Sequence, residues 1–200
     1  NFFRKLLSGT EVATKPKDDV ELLDYELEDT TYVLSCSVDR AAELLEECPQ
    51  ECTRAMNLFL SLLRDSLISN DGFEAQQDGV TCYAFFQTPE QAIVTALNVQ
   101  DKLMQVPFPA EIDRLCGEII GDTSQDVIMR GLRISMSLQR GKLHEFVAGA
   151  GMVKSYFGAA ITQATFLSAG YSCGGELLVT QAVYDDLQET EDQTGFLGEL

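Results

Sequence analysis

Cys48, Cys52 and His144 are side chains of types that metal or nucleophilic sites use. Cys48 and Cys52 stand four residues apart near the start of a predicted helix, where two thiolates could bind zinc. No second pair of Cys or His accompanies them, so we expect structural thiols rather than a zinc site. His144 lies on a predicted strand without a nearby Ser or Cys nucleophile pattern. We expect a structural, surface-facing imidazole there rather than a general base.

The charge of the chain excludes several classes of partner. The 200 residues include 32 acidic and 14 basic side chains, which gives a net charge of −18. Nucleic acids and anionic membrane surfaces bind clustered Lys and Arg, so neither is an expected partner of this segment. The sequence has no run of 18 apolar residues and no secretory signal. We therefore expect an intracellular domain with six reduced cysteines.

The first half of the chain predicts the element order β-α-β-β-α. Residues 30–38, TTYVLSCSV, are rich in β-formers and predict a buried first strand. Apolar residues spaced by three and four after Pro49 predict a helix that ends at Asn70-Asp71-Gly72. Residues 72–86 place Asp78-Gly79 between two strand-like runs, which predicts a hairpin with a type I′ turn. Thr88 and Pro89 then cap and begin the next helix.

The remaining segments predict an α+β domain over residues 30–200, preceded by a lead-in or linker at residues 1–29. Residues 105–130 hold two prolines and two glycines, which predict an inserted subdomain or surface excursion. In the strand LRISMSL (132–138), the period of two predicts the apolar residues inward and Arg133, Ser135 and Ser137 outward. Helices and strands in this order favour a ferredoxin-like α/β sandwich.

Residues 131–187 form an ordered series of motifs that resembles a known family. A strand, an Arg-Gly turn and a second strand lead to the loop Tyr156-Phe157-Gly158 and a helix of small residues. A Gly174-Gly175 turn, a short strand and a closing helix follow. This order resembles the second half of the class III adenylyl/guanylyl cyclase catalytic domain, and is most similar to the kinetoplastid receptor-type adenylate cyclases. The resemblance extends over about residues 30–190 and implies the ferredoxin-like fold of that family.

The resemblance implies two metal positions, and this chain changes both. In the family, two aspartates bind two Mg²⁺ ions that activate the ribose 3′-hydroxyl and hold the triphosphate. The segment TYVLSCSVDRAAELLEECP aligns without gaps with the first motif and has Ser37 at the aspartate position. In the hairpin motif Gly79 is kept, but Val80 stands where the second aspartate is expected. The resemblance therefore implies no Mg²⁺ or Mn²⁺ bound at these positions.

Four further positions of the family pattern also differ. A lysine and a carboxylate that read the adenine base align with Gln76 and Ser155. An asparagine that orients the ribose and an arginine that stabilises the transition state align with Thr162 and Phe166. An arginine or amide aimed at developing charge contributes roughly 3–4 kcal/mol, and phenylalanine contributes none of it. With Phe166 in that place we expect an apolar pocket that the chain's own side chains fill.

A displaced pair of carboxylates remains an alternative. Asp39 lies two residues after Ser37, and Asp78 lies two residues before Val80. A shift of two residues keeps a side chain on the same face of a strand, so these two carboxylates could take over the metal. Asp78 already serves the predicted turn, however, and Asp39 precedes a predicted helix.

Taken together, the six changed positions predict a domain that is not an enzyme. We expect a dimerisation, regulatory or scaffold module that forms a homodimer or a heterodimer with another cyclase-like domain, or binds another protein. Two alternatives stay open: a sensor that binds a nucleotide or other small molecule without turnover, and an adenylate cyclase that uses Asp39 and Asp78. By analogy, the chain would act in cyclic-nucleotide signalling or a flagellar assembly. A segment outside this chain would tether it to a membrane.

Overall fold

The computed structural model describes residues 25–26, 30–116, 118–119, 127–148 and 153–194. Most of the predicted lead-in, residues 1–24 and 27–29, lies outside them. The strands are β1 (Tyr25–Glu26), β2 (Thr31–Val38), β3 (Phe73–Asp78), β4 (Thr81–Phe86), β5 (Glu118–Ile119), β6 (Val127–Met129), β7 (Ile134–Gly141), β8 (His144–Ala148), β9 (Val153–Phe157) and β10 (Leu177–Val179). The helices are α1 (Ala41–Glu47), α2 (Pro49–Ser69), α3 (Pro89–Gln105), α4 (Ala110–Cys116), α5 (Ala159–Gly170) and α6 (Gln181–Thr194).

A five-stranded sheet with the order β10-β7-β2-β4-β3 forms the centre of the molecule. The β2–β4, β3–β4 and β2–β7 pairs are antiparallel, and β10 adds to β7 in parallel. With α2 between β2 and β3, and α3 between β4 and β7, this is the ferredoxin-like arrangement. The predicted α+β fold is therefore confirmed.

Helices α2, α3, α4 and α6 cover one face of this sheet. Phe59, Leu63, Phe86 and Met136 are among the buried side chains of the large apolar cluster between them. Local signals set the ends of two helices as predicted: Pro49 occupies the first turn of α2, and the Thr88 hydroxyl accepts a hydrogen bond from the amide of Gln91 at the start of α3. No helix in the described part of the chain is long and apolar enough to cross a membrane.

Helix α5 and a separate small sheet cover the other face. That sheet has the order β1-β8-β9, and β1 pairs with β8 at Tyr25–Glu145 and Glu26–His144. Two residues of the predicted lead-in therefore contribute a strand to the fold. The second apolar cluster lies here and includes Tyr156 with edge-on contacts to Phe73 and Phe85.

Three predictions about local structure need correction. Ser135 and Ser137 do not face solvent, because α5 covers that side of β7 and buries both side chains. Helix α4, in the predicted surface excursion, buries Ile112, Leu115 and Cys116 against the main core. The hairpin loop consists of Gly79 and Val80 rather than Asp78-Gly79, and only Gly79 has a positive φ, of 58°. The turn is therefore not type I′, which requires positive φ at both residues.

Buried neutral groups make the fold sensitive to alkaline pH. Burial raises the pKa of the Cys36 thiol, and burial with the nearby Glu74 raises the pKa of Cys82 to about 12. Burial and a hydrogen bond to Asp186 raise the pKa of Tyr32 to about 12. In the unfolded chain the two thiols lose their protons from their ordinary pKa of 9.0 upward. In the folded chain they retain these protons to higher pH.

We therefore expect the free energy of unfolding to decrease as the pH rises from about 9 to about 12. Urea unfolding at a series of pH values measures this slope. Cys82→Ala should flatten the slope, whereas Cys173→Ala, which removes an exposed thiol, should leave it unchanged. An equal effect of both substitutions would contradict burial as the cause.

Candidate functional site

Ser37, at the first expected metal position, lies in a buried cluster of hydroxyl groups. Its side chain is 5% exposed. Its oxygen is 3.0 Å from the Thr81 hydroxyl and 3.1 Å from the Ser168 hydroxyl of α5. Ser168 is in turn 2.9 Å from the Ser35 hydroxyl. Strand β2 thus turns two serines toward α5, and both hydroxyl groups hydrogen-bond to Ser168.

The residues at the two expected metal positions do not fit a divalent cation. The Ser37 hydroxyl is neutral and already hydrogen-bonded, and Val80 packs its apolar side chain against the main core. Mg²⁺ binds carboxylate oxygens, phosphate oxygens and water. Within the described ranges, no group of three or more His, Cys, Asp or Glu side chains could hold a metal ion. Cys48 and Cys52 are both buried thiols.

Gln76, at the expected base-reading position, binds the main chain of β9 instead. Its side-chain oxygen accepts a hydrogen bond of 2.9 Å from the Tyr156 amide, and its nitrogen donates one of 3.2 Å to the Tyr156 carbonyl. This pair of bonds ties the β3–β4 hairpin to the small sheet, directly beside Ser155. The two positions expected to read a base are therefore close together, but the Gln76 amide is already occupied.

Thr162 and Phe166 lie on the exposed side of α5. The Thr162 hydroxyl donates to the Gly158 carbonyl one turn earlier. Phe166 is 61% exposed and its ring lies 5.0 Å from that of Tyr171. The prediction that the chain's own side chains fill an apolar pocket at this position is wrong for Phe166. The small residues Ala160 and Ala164 occupy the inner side of the helix, and Phe166 points outward.

Strand β9 carries another exposed aromatic side chain. Phe157 is 44% exposed and its ring stacks on His144 of β8 at 5.0 Å. Gly158, with φ of 148°, links β9 to α5, and a Cβ there would lie 3.0 Å from the Lys142 carbonyl oxygen. We call the exposed side chains Phe157, Thr162, Phe166 and Tyr171 the α5 surface.

Both displaced carboxylates lie at the same end of the sheet. Asp39 directly follows β2, and its carboxylate lies 3.9 Å from the Arg133 guanidinium, with 27% of the side chain exposed. Asp78 is exposed and pairs with Thr81, which in turn pairs with Ser37. The Val38 amide donates to the Val80 carbonyl at this end, which keeps β2 and the hairpin turn together.

The hydroxyl cluster and the role of Arg133 were not predicted from the sequence. Arg133 donates two hydrogen bonds, of 3.1 and 2.7 Å, to the Gly174 carbonyl, and so fixes the turn after α5. The signal for the cluster was present in the chain. Serines two apart in LSCSV and again in ISMSL place Ser35, Ser37, Ser135 and Ser137 on one face of two neighbouring strands.

No protein-family model matches the chain. It is 30% identical over 135 residues to an adenylate cyclase of Mycosarcoma maydis, a match that covers 67% of this chain and 5% of that protein. Its structure matches an adenylate cyclase from Trypanosoma brucei in a monomeric state with a TM-score of 0.72 at 14% identity, covering 84% of this chain and 78% of that chain. The chain has the class III nucleotidyl cyclase fold. A dimeric guanylyl cyclase domain of the RhoGC fusion protein from Blastocladiella emersonii matches with a TM-score of 0.63 at 10% identity, covering 82% and 86% of the two chains.

These comparisons confirm the resemblance to class III cyclases and overturn one prediction. The expectation that the cyclase-fold domain is not an enzyme is wrong, because its relatives and structural neighbours are adenylate and guanylyl cyclases and point to an enzyme. That expectation rested on six residue identities alone. The closer likeness to kinetoplastid enzymes and the flagellar location stay predictions.

Removing the Ser168 hydroxyl tests the cluster that holds α5 on the sheet. Ser168→Ala should lower the free energy of unfolding by about 1–3 kcal/mol, because Ser35 loses its partner and Ser37 loses one of two in a buried setting. Thr162→Ala, on the exposed side of the same helix, should change it by less than about 0.5 kcal/mol. Chemical denaturation measures both. Equal effects of the two substitutions would show that the buried hydroxyl groups make no specific contribution to the free energy of unfolding.

Proposed function

We propose that this domain is one subunit of an adenylate cyclase dimer in cyclic-nucleotide signalling inside the cell, and that it pairs with a second cyclase-type domain through the α5 surface. The observation that supports this is the exposure of Phe157, Phe166 and Tyr171 on an otherwise folded domain. Phe166 and Tyr171 contact each other, and aromatic residues are enriched at protein interfaces. The names of the relatives support ATP as the substrate.

Helix α5 has the character of a buried helix although one side of it faces solvent. Its sequence, AAITQATFLSAG, has no charged residue. A helix of mostly apolar residues without any charge is typical of the interior of a protein or of an interface. On α5, Ala160 and Ala164 face the sheet, while Thr162, Gln163 and Phe166 remain exposed. A partner domain would cover the exposed side.

Within this proposal, Asp39 and Asp78 are the carboxylates that the chain can offer to a metal–nucleotide complex. They lie at the same end of the sheet, beside the positions where the family places its metal ligands. A divalent cation bound with ATP would lower the pKa of the ribose 3′-hydroxyl and neutralise the leaving pyrophosphate. The Arg133 guanidinium holds the Asp39 carboxylate near the end of β2.

Replacing Phe166 tests the pairing. Phe166→Ser should weaken association with a second cyclase domain, such as the Trypanosoma brucei domain, at least about tenfold, since exposed aromatic side chains often dominate interface energy. Ile68→Ser removes another exposed apolar side chain, 79% exposed on α2, and should have no effect. Sedimentation velocity of the mixtures measures the difference. Unchanged association of the Phe166 variant would exclude the α5 surface.

Turnover is tested with ATP and Mn²⁺, by measuring cyclic AMP from the domain alone and from the mixture. Asp39→Asn and Asp78→Asn should each lower the rate by about an order of magnitude or more if their carboxylates bind the metal. Asp65→Asn, exposed on α2, is the matched control. A rate that none of these substitutions changes would show that the metal ligands come from the partner. Calorimetric titration with ATP then distinguishes nucleotide binding from turnover.

A further inference from the structure

Two of the buried cysteines lie directly opposite each other on neighbouring strands. Cys36 of β2 pairs with Cys82 of β4 in the antiparallel register, and each side chain is 1% exposed. Side chains of directly opposite residues point to the same face of a sheet. For this pair it is the face covered by α2 and α3, since both residues belong to the large apolar cluster. The two thiols therefore lie side by side inside the main core.

The hydrogen bonds of the β2–β4 ladder determine how far apart the two backbones are. Two residues further along, the Val38 amide donates a hydrogen bond of 3.2 Å to the Val80 carbonyl. Hydrogen-bonded pairs alternate with other pairs along an antiparallel ladder, so Cys36–Cys82 is a hydrogen-bonded pair, with Cα atoms about 5.5 Å apart. The Cα atoms of disulfide-bonded cysteines usually lie about 4.4–6.8 Å apart. The two strands therefore hold this pair at a separation that a disulfide can span without movement of the backbone.

The surroundings of the pair favour an uncharged product over a metal complex. Burial raises the pKa of both thiols, because a charged group in an apolar interior costs free energy. A metal ion held by two thiolates would bring ionised sulfur atoms into the core, whereas a disulfide is neutral. The chemistry that this pair supports is therefore oxidation.

We propose that Cys36 and Cys82 form an oxidation site, at which hydrogen peroxide converts the two thiols into a disulfide between β2 and β4. One sulfur atom, as a thiolate, attacks the peroxide and becomes a sulfenic acid, and one water leaves. The second thiol then attacks that sulfur atom, the disulfide forms and a second water leaves. The two thiols lose two electrons, and the peroxide takes them up. The site goes beyond the proposed function, since it needs neither a nucleotide nor a partner domain.

Burial also determines which oxidants reach the pair and how fast they react. Hydrogen peroxide is small and uncharged and can enter the core during small fluctuations, whereas the large, charged glutathione disulfide cannot reach either sulfur atom. Because the thiolate is the reacting form and burial disfavours it, the reaction should become faster as the pH rises. It should be slower than oxidation of the exposed Cys173.

The experiment treats the folded Cys173→Ala chain with excess hydrogen peroxide and maps linked peptides by mass spectrometry. The peptides of Cys36 and Cys82 should be joined. The urea midpoint should rise by about 1 M or more, because the cross-link restricts the unfolded chain. Dithiothreitol should restore the original midpoint. An equal excess of glutathione disulfide should leave both thiols reduced.

Cys82→Ala and Cys52→Ala each remove one buried thiol and are a matched pair of variants. Peroxide should no longer raise the urea midpoint of the Cys82 variant, whereas the Cys52 variant should respond like the parent chain. If Cys36 and Cys82 stay reduced, or become sulfinic acids without a cross-link, the proposal is overturned, and this peptide map does not depend on how well a variant folds. Equal cross-linking by glutathione disulfide would show that the reaction takes place in opened chains, which would overturn the assignment to the native register.

Discussion

Burial of strand β2 on both of its faces is the constraint on which the rest of the structure depends. The strand hydrogen-bonds to β4 on one side and to β7 on the other along nearly its whole length. Leu34 and Cys36 point into the main core, while Ser35 and Ser37 point to α5. Because neither face meets water, each buried hydroxyl group must find a partner inside the protein. The packing position of α5 on the sheet follows from that requirement.

The position of α5 in turn determines which of its side chains are exposed. Its alanines and Ser168 allow a close approach to the sheet, so the bulky Phe166 has to point outward. The Gln76 side chain fixes β9 through the main chain of Tyr156, and this places Phe157 next to the start of α5. The exposed positions of Phe166 and Phe157 thus depend on two separate anchoring networks, one of hydroxyl groups and one of a single amide.

In the same networks, residues at expected catalytic positions stabilise the fold. The positions that hold metal and base in class III cyclases here hold groups engaged inside the protein, at Ser37 and Gln76. Three charged residues lie at the end of the sheet where β2 ends: Asp39, Asp78 and Arg133. The relatives and structural neighbours of the chain are nevertheless adenylate and guanylyl cyclases.

The sequence alone determined the element order, the start of α2 at Pro49, the start of α3 at the Thr88 cap and the ferredoxin-like topology, because periodicity, proline position and capping act over a few residues. The assignment of the six family positions along the chain stays a prediction from the resemblance. Only the tertiary structure decided that Ser135 and Ser137 are buried, that α4 joins the core and that Phe166 faces solvent. A period of two in the sequence predicts that Ser135 and Ser137 share one face of the strand. It does not predict whether solvent or a helix covers that face, since α5 lies more than twenty residues away in sequence. Packing between distant segments decides that difference.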